Sequence, residues 1–202
     1  SSNDHILYLG TNPGKYQGMG HIIHLPMIEI SPVKPSTETM KILNSRSVQY
    51  DMVILTSRYA VKYFFELLAR EKHSAERFKS SVWIVIGRDT AAALKAHGII
   101  AKVISSPETS EGLFEILKQR YDLKGKKILF PRSALPNPYL KDALAKAGAR
   151  VTELTVYKNT IPGKRTFNFD HINKVVFTSP STVKNFLADY GNIPPNWQIL
   201  SK

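Results

Sequence analysis

Four turns in this sequence share one pattern. Each closes an apolar run and opens an amphipathic one with Ser, Thr, Gly or Arg. They are Thr56-Ser57-Arg58, Gly87-Arg88-Asp89-Thr90, Ser105-Ser106 with Ser110 beyond it, and Pro131-Arg132-Ser133. Thr178-Ser179-Pro180-Ser181 is a fifth of the same kind. The start of a helix carries unpaired backbone N–H groups and the positive end of the helix dipole, so such turns suit carboxylates and phosphates. Each turn taken singly is equally what an ordinary N-cap looks like. Several on one edge, in a basic chain, point to a ligand bearing several carboxylates or phosphates. Tyr157 stands apart from these. It lies where the pattern predicts the end of a strand and the start of a linker, and its hydroxyl suits either proton donation or simple anchoring.

The elements that must position these residues alternate regularly. Strands are expected at Met52–Leu55, Val82–Ile86, Ala101–Ile104, Lys127–Phe130 and Val151–Tyr157. Between them the apolar spacing predicts helices at Arg58–Arg70, Thr90–Ala96, Ser110–Gln119 and Pro138–Ala147, with Gly98 and Gly148 as C-terminal caps. In the first of these, Val61, Phe64, Phe65 and Leu68 are expected to face inward. Continuous apolar strands separated by amphipathic helices mean a parallel sheet covered on both faces. Ligands of such sheets bind beyond the carboxyl ends of the strands, where these turns fall.

One stretch occurs twice. Tyr50–Phe65 reads YDMVILTSRYAVKYFF and Ile172–Leu187 reads INKVVFTSPSTVKNFL. In register, Val53 meets Val175, Thr56 meets Thr178, Ser57 meets Ser179, Val61 meets Val183, Lys62 meets Lys184 and Phe64 meets Phe186. A period this long implies two similar domains and not a solenoid. Pro-containing segments at 31–36 and 156–163 read as linkers. Residues 37–155 are then a complete α/β domain, and 1–33 with 160–202 a discontinuous, shortened one. The expected fold is two flavodoxin- or Rossmann-like α/β domains, one inserted into the other, joined by two strands with a cleft and hinge between them. In the second copy the counterpart of Gly87–Ala91 is expected past Lys202.

Composition narrows the chemistry. The 202 residues carry a formal charge of +12, dispersed and not gathered in a tail. Dispersed excess charge can line a basic cleft or simply aid solubility. Bases do not alternate with aromatics in an exposed strand, which argues against nucleic-acid binding. The chain has no cysteine, so disulfides, thiolate catalysis and cysteine metal sites are excluded. No HExxH or paired Asp motif suggests a metal. Gly10–Gly20 imitates a phosphate loop, but Gly10 and Gly14 stand too close and Tyr16 follows Lys15 where Ser or Thr belongs. It reads as a Gly-rich loop. His21 and His24, three apart in a strand, point to opposite faces, and His73, His97 and His171 read as isolated. No apolar run is long enough to cross a bilayer, and a cytoplasmic protein is expected.

The ordered set of segments resembles the uroporphyrinogen-III synthase family. The matching pieces are LTSRYAVKYF and its twin FTSPSTVKNF, VIGRDTAAALKAHGI, TSEGLFEIL, KILFPRS and LAKAGARVTELTVYKNT. Each is weak alone, and their order and spacing agree from about Asp51 to Leu200. The resemblance implies a lyase of tetrapyrrole (porphyrin and heme) biosynthesis. It would close hydroxymethylbilane with inversion of ring D, needing neither metal nor cofactor. It implies Tyr157 near the departing hydroxyl, and Thr11, Ser57, Arg58, Gly87, Thr90, Ser110, Arg132, Ser179 and Ser181 as substrate-binding positions. The expected partner is the small-molecule substrate, with no nucleic acid and no membrane, bound by a monomer. The sequence departs from the family at its start. The opening Thr-Arg-Pro turn reads Thr11-Asn12-Pro13, and the helix after it is reduced to the Gly-rich loop. A catalytically weak or inactive two-domain ligand-binding homologue is the alternative. The isomer formed from hydroxymethylbilane separates the two.

Overall fold

A computed structural model describes residues 3–135 and 137–201. The turn expected past Lys202 lies outside them. The chain forms two compact units: Pro32–Lys158, and the N-terminal stretch to Ser31 together with the chain from Asn159 onward.

The larger unit is built on β4 (Met52–Leu55), β5 (Val82–Ile86), β6 (Val103–Ser105), β7 (Lys127–Ser133) and β8 (Arg150–Thr160). With β3 (Glu29–Pro32) they form a six-stranded sheet in the order β3-β8-β7-β4-β5-β6. The pairings β8-β7, β7-β4, β4-β5 and β5-β6 are all parallel. Strand order reverses between β4 and β7, and that reversal opens a crevice at their carboxyl ends. Every residue of β4 is buried, as helices on both faces require. The covering helices are α1 (Thr37–Asn44), α2 (Arg58–Arg70), α3 (Arg88–Lys95), α4 (Ser110–Arg120) and α5 (Tyr139–Lys146).

Local chemistry explains where the helices begin and end. Ser36, Ser57 and Thr109 cap α1, α2 and α4, accepting from the backbone N–H of Thr39, Ala60 and Gly112. Gly98, at φ 79°, ends α3, its N–H donating to the Lys95 carbonyl. One face of α2 buries Ala60, Val61, Tyr63, Phe64, Leu67 and Leu68. Phe64 is fully covered, and truncating it to Ala would cost about 3–5 kcal/mol. Phe65, expected inside, is half-buried and stacks on His97 at 4.0 Å. Tyr63 and Leu67 take the inward places instead, because the apolar stripe follows the 3.6-residue turn.

Three further expectations need correction. Pro131-Arg132-Ser133 is not a turn at a helix start. It continues β7, paired with β8, and α5 begins only at Tyr139. Tyr157 lies inside β8 and not at its end, because that strand runs on to Thr160. The segments 31–36 and 156–163 are therefore partly strand: both crossings between the units, Ser31 to Pro32 and Lys158 to Asn159, lie within β3 and β8, which neighbour each other in the sheet.

The smaller unit has four parallel strands in the order β10-β9-β1-β2: β1 (His5–Tyr8), β2 (His21–His24), β9 (Lys174–Phe177) and β10 (Gln198–Ser201). Its helix α6 (Pro180–Tyr190) packs Phe186 against Phe177, Phe169 and Trp197. Between β1 and β2, where a crossover helix would stand, there is one 3₁₀ turn, Gly14–Tyr16, as the Gly-rich reading anticipated.

Candidate active site

In the larger unit the carboxyl ends of the strands carry the candidate residues. At the reversal point β4 leads into Thr56-Ser57, and Ser57 Oγ accepts from the Ala60 N–H at 3.0 Å. The same oxygen lies 3.0 Å from the Tyr157 hydroxyl, one hundred residues along the chain. Tyr157 is delivered by an irregularity in the ladder. Arg132 pairs with Thr155 but Ser133 with Tyr157, so β8 holds an extra residue there. Such a bulge re-aims a side chain. Val156 and Tyr157 are both buried. The Tyr157 ring stacks on Tyr63 at 5.8 Å and tilts against Tyr59 at 6.1 Å. Two hydroxyls are thus held at a helix N-terminus in an aromatic wall. The pair can relay or orient one proton, and the wall keeps water from most of the ring.

The other candidates on this edge differ in what they offer. Arg58 is exposed, its guanidinium donating to the Tyr59 hydroxyl at 3.0 Å. Gly87 begins α3 with φ 82° and no side-chain cap, so the first N–H groups of α3 face no capping side chain. The Glu108 carboxyl carbon lies 2.8 Å from where a Cβ on Gly87 would stand. A carboxylate of the chain itself therefore fills the space beside that terminus. Thr90 is only 4% exposed, so its side chain belongs to the packed face of α3. Ser105 is also turned inward, donating to the Pro107 carbonyl. Ser110 is the first residue of α4, and Thr109 caps it.

Arg132 is engaged on all sides. Its guanidinium meets Glu153 at 2.9 Å and donates to the carbonyls of Leu135 and Asn137, each at 2.9 Å. Glu153 also holds Lys141 at 3.1 Å. Arg132 thereby shapes the segment between β7 and α5.

In the smaller unit, the reversal point lies between β1 and β9. Ser179 caps α6 reciprocally: its Oγ accepts from the Thr182 N–H, and its own N–H donates to Thr182 Oγ1. Ser181 is exposed in the first turn, and Thr11 is half-buried just after β1. Gly10 beside it is tightly enclosed, with Thr178 Cγ2 2.6 Å and the Tyr8 hydroxyl 2.8 Å from a Cβ placed there. His24, at the end of β2, donates through Nε2 to the Gly10 carbonyl at 2.6 Å.

Glu108 and Glu153 escaped the sequence reading. A carboxylate inside the apolar run VTELTV was the available signal for Glu153. The place of Glu108 depends on loop geometry that no local pattern records. His171 is not isolated either: its ring and that of His21 lie 6.3 and 5.3 Å from His5. Among the described residues no three His, Cys, Asp or Glu are gathered so as to hold a metal ion. No helix among them is long and apolar enough to cross a membrane.

Comparisons with known proteins agree on one family. The family profile described as uroporphyrinogen-III synthase HemD matches residues 15–198. A Methanothermobacter thermautotrophicus protein that carries the synthase name provisionally is 30% identical over 181 residues, 86% of this chain and 70% of that one. The uroporphyrinogen-III synthase of Synechococcus elongatus is 29% identical over 175 residues, and the chain spans 64% of its length. In fold, the crystal structure of a mutant Thermus thermophilus uroporphyrinogen III synthase superimposes with a TM-score of 0.70 at 17% identity, covering 98% of this chain and 84% of that one. The Helicobacter pylori enzyme gives 0.62 at 19% identity, with 98% and 83% covered. The two α/β units, the duplicated strand–turn–helix and these matches together place the chain in the uroporphyrinogen-III synthase family.

Proposed function

We propose that this chain closes hydroxymethylbilane to uroporphyrinogen III, inverting ring D and releasing water. The observation that carries this is the Ser57–Tyr157 hydroxyl pair at the strand-order reversal, within a chain of this family. Tyr157 donates its proton to the departing hydroxyl of the bilane, leaving an azafulvene. The substituted carbon of ring D attacks it to form a spiro intermediate, which opens and recloses at the other carbon, and the proton lost from that carbon restores the Tyr157 phenol. No oxidation state changes, so the balance calls for no redox partner. In the larger unit, substrate carboxylates are held by the first N–H groups of α2, α3 and α4, with Arg58, Gly87 and Ser110 around them; in the smaller unit, the start of α6 with Ser179 and Ser181, and Thr11 after β1, serve the same purpose. Thr90 and Arg132 contribute by shaping α3 and the segment after β7. Most of the rate comes from holding the bilane folded for closure, since a well-placed intramolecular reaction gains several powers of ten. The same reading takes 37–155 and 1–33 with 160–202 as the two substrate-binding domains of a cytoplasmic monomer.

The test is the isomer made. Incubated with hydroxymethylbilane, the protein is expected to yield uroporphyrinogen III in place of the uninverted isomer that forms spontaneously. Only the uninverted isomer, at the spontaneous rate, would overturn the proposal.

A further inference from the structure

We propose that Ser57 is a positioning residue that sets the direction of the Tyr157 hydroxyl proton, and not chiefly a ligand for a substrate carboxylate. The proposal rests on the assignment of Tyr157 as the proton donor. Ser57 Oγ already accepts the Ala60 N–H at 3.0 Å. One hydroxyl contact remains, to Tyr157 Oη at 3.0 Å, and either oxygen can be the donor. If the phenol donates to Ser57, its proton points into the protein and is lost to the substrate. If Ser57 donates, the chain runs Ala60 N–H to Ser57 O–H to Tyr157 O–H, all in one direction. The phenol proton is then free to point outward. The helix favours the second order. An acceptor at the N-terminus of α2 is polarised by the N–H it receives and by the positive end of the dipole, which makes its own proton a better donor. The phenol oxygen that accepts from it becomes a better donor in turn. When Tyr157 gives up its proton, the developing negative charge lies beside a hydroxyl already aimed at it.

The structure prepares this arrangement from both sides. The ladder irregularity at Ser133 and Tyr157 brings the phenol to the cap, and Tyr63 and Tyr59 hold its ring. The position three residues after the serine is Ala60, which offers no competing hydroxyl. In the duplicate the same position is Thr182, whose hydroxyl bonds the backbone N–H and carbonyl of Ser179.

The test uses substitutions that separate capping from donation. Glycine is nearly as good an N-cap as serine. Ser57→Gly therefore keeps α2 but removes the donor, whereas Ser57→Thr keeps both. We expect Ser57→Gly to lower kcat by about tenfold or more with the melting temperature and KM nearly unchanged, and Ser57→Thr to restore most of it. The double variant Ser57→Gly with Tyr157→Phe should be no slower than Tyr157→Phe alone, because both act through one hydroxyl. A Ser57 that binds a carboxylate would instead raise KM and slow the double variant further, and that result overturns the proposal. Should the parent protein form no inverted isomer, the assigned activity fails. The hydroxyl pair is then judged without substrate, from the ¹³Cζ resonance of Tyr157. It should move in Ser57→Gly and return in Ser57→Thr, and an unmoved resonance overturns the pair itself.

Discussion

The strands β5-β4-β7-β8 of the larger unit and β10-β9-β1-β2 of the smaller one run in the same spatial order. Their registers superimpose. Val53 pairs with Trp83 on one side and Leu129 on the other, as Val175 pairs with Ile199 and Leu7. Leu129 then pairs with Thr152 as Leu7 pairs with Ile23. One residue on, Glu153 corresponds to His24, and three residues along the inner strand Arg132 corresponds to Gly10. Both units bridge these positions, but differently. The larger uses a charged pair, Arg132 to Glu153. The smaller uses the His24 ring on the Gly10 carbonyl. Both keep a serine capping the duplicated helix. Only the larger extends the outer strand far enough, and irregularly enough, to set a phenol against that serine. The duplication has kept the scaffold of the edge and diverged in what the edge presents. In one copy the cap oxygen accepts from its own helix start, and in the other it also meets a phenol.

Removing that group is the largest break available. Tyr157→Phe should lower turnover by about 10²–10⁴-fold, the usual worth of general acid assistance. The ring, stacked on Tyr63, keeps its place, so melting should fall little and KM should hold. A variant that makes the inverted isomer at the parent rate would remove the difference in chemistry between the two copies.

The charged bridge is tested next. Arg132→Met leaves two carbonyls without their donor and Glu153 with Lys141 alone. A loss of about 2 kcal/mol is expected, because Arg132 itself is largely covered, while the carbonyls and Glu153 keep access to water. His24→Ala, at an exposed position in the other unit, should cost no more than about 1 kcal/mol. Thermal melting of the two variants measures the contrast, and equal losses would make the two bridges equivalent.

A smaller effect tests the reciprocal cap. Thr182→Ala reproduces the residue that the larger unit has at Ala60. It removes the acceptor of the Ser179 N–H and leaves a small void, since Thr182 is fully buried. About 1–2 kcal/mol of stability should go. An unchanged melting temperature would mean that the reciprocal bonds add nothing to a simple serine cap.

The comparison also explains what the sequence could tell. The strands and helices of the larger unit were legible because their apolar periods are strong: Met52–Leu55, Val82–Ile86 and Arg58–Arg70 stand where they were expected. Ser57 and Ser179 were legible as caps, since an N-cap is a local pattern. The Ser57–Tyr157 bond was not, because it joins residues a hundred apart through a ladder irregularity that no local rule encodes. Pro131-Arg132-Ser133 was misread for a related reason. Proline normally ends a strand, yet here β7 continues through Pro131 because β8 alongside it is long enough to keep pairing. The burial of Thr90 was hidden by helix phase: α3 begins two residues earlier than its apolar pattern does, which turns that side chain inward.

The smallest predicted effect concerns the two helix starts within the larger unit. At α2 the cap is a serine, and at α3 it is a glycine with the Glu108 carboxyl in the space a side chain would fill. Glu108 is exposed, so its charge is weakly held, yet it lies where a substrate carboxylate would approach the first N–H groups of α3. Two like charges at one terminus cannot both be stabilised fully, and exposed charges interact by only about 0.2–1 kcal/mol. Glu108→Gln should therefore lower KM for hydroxymethylbilane by a few-fold and leave kcat alone. Salt should raise KM in both proteins by screening the basic edge, over a Debye length of about 8 Å at physiological ionic strength. The gap between the two should narrow as salt increases, since the same screening weakens the repulsion. Matching KM values at low salt would show that Glu108 does not stand in the path of a carboxylate, leaving φ 82° as the reason for glycine at position 87.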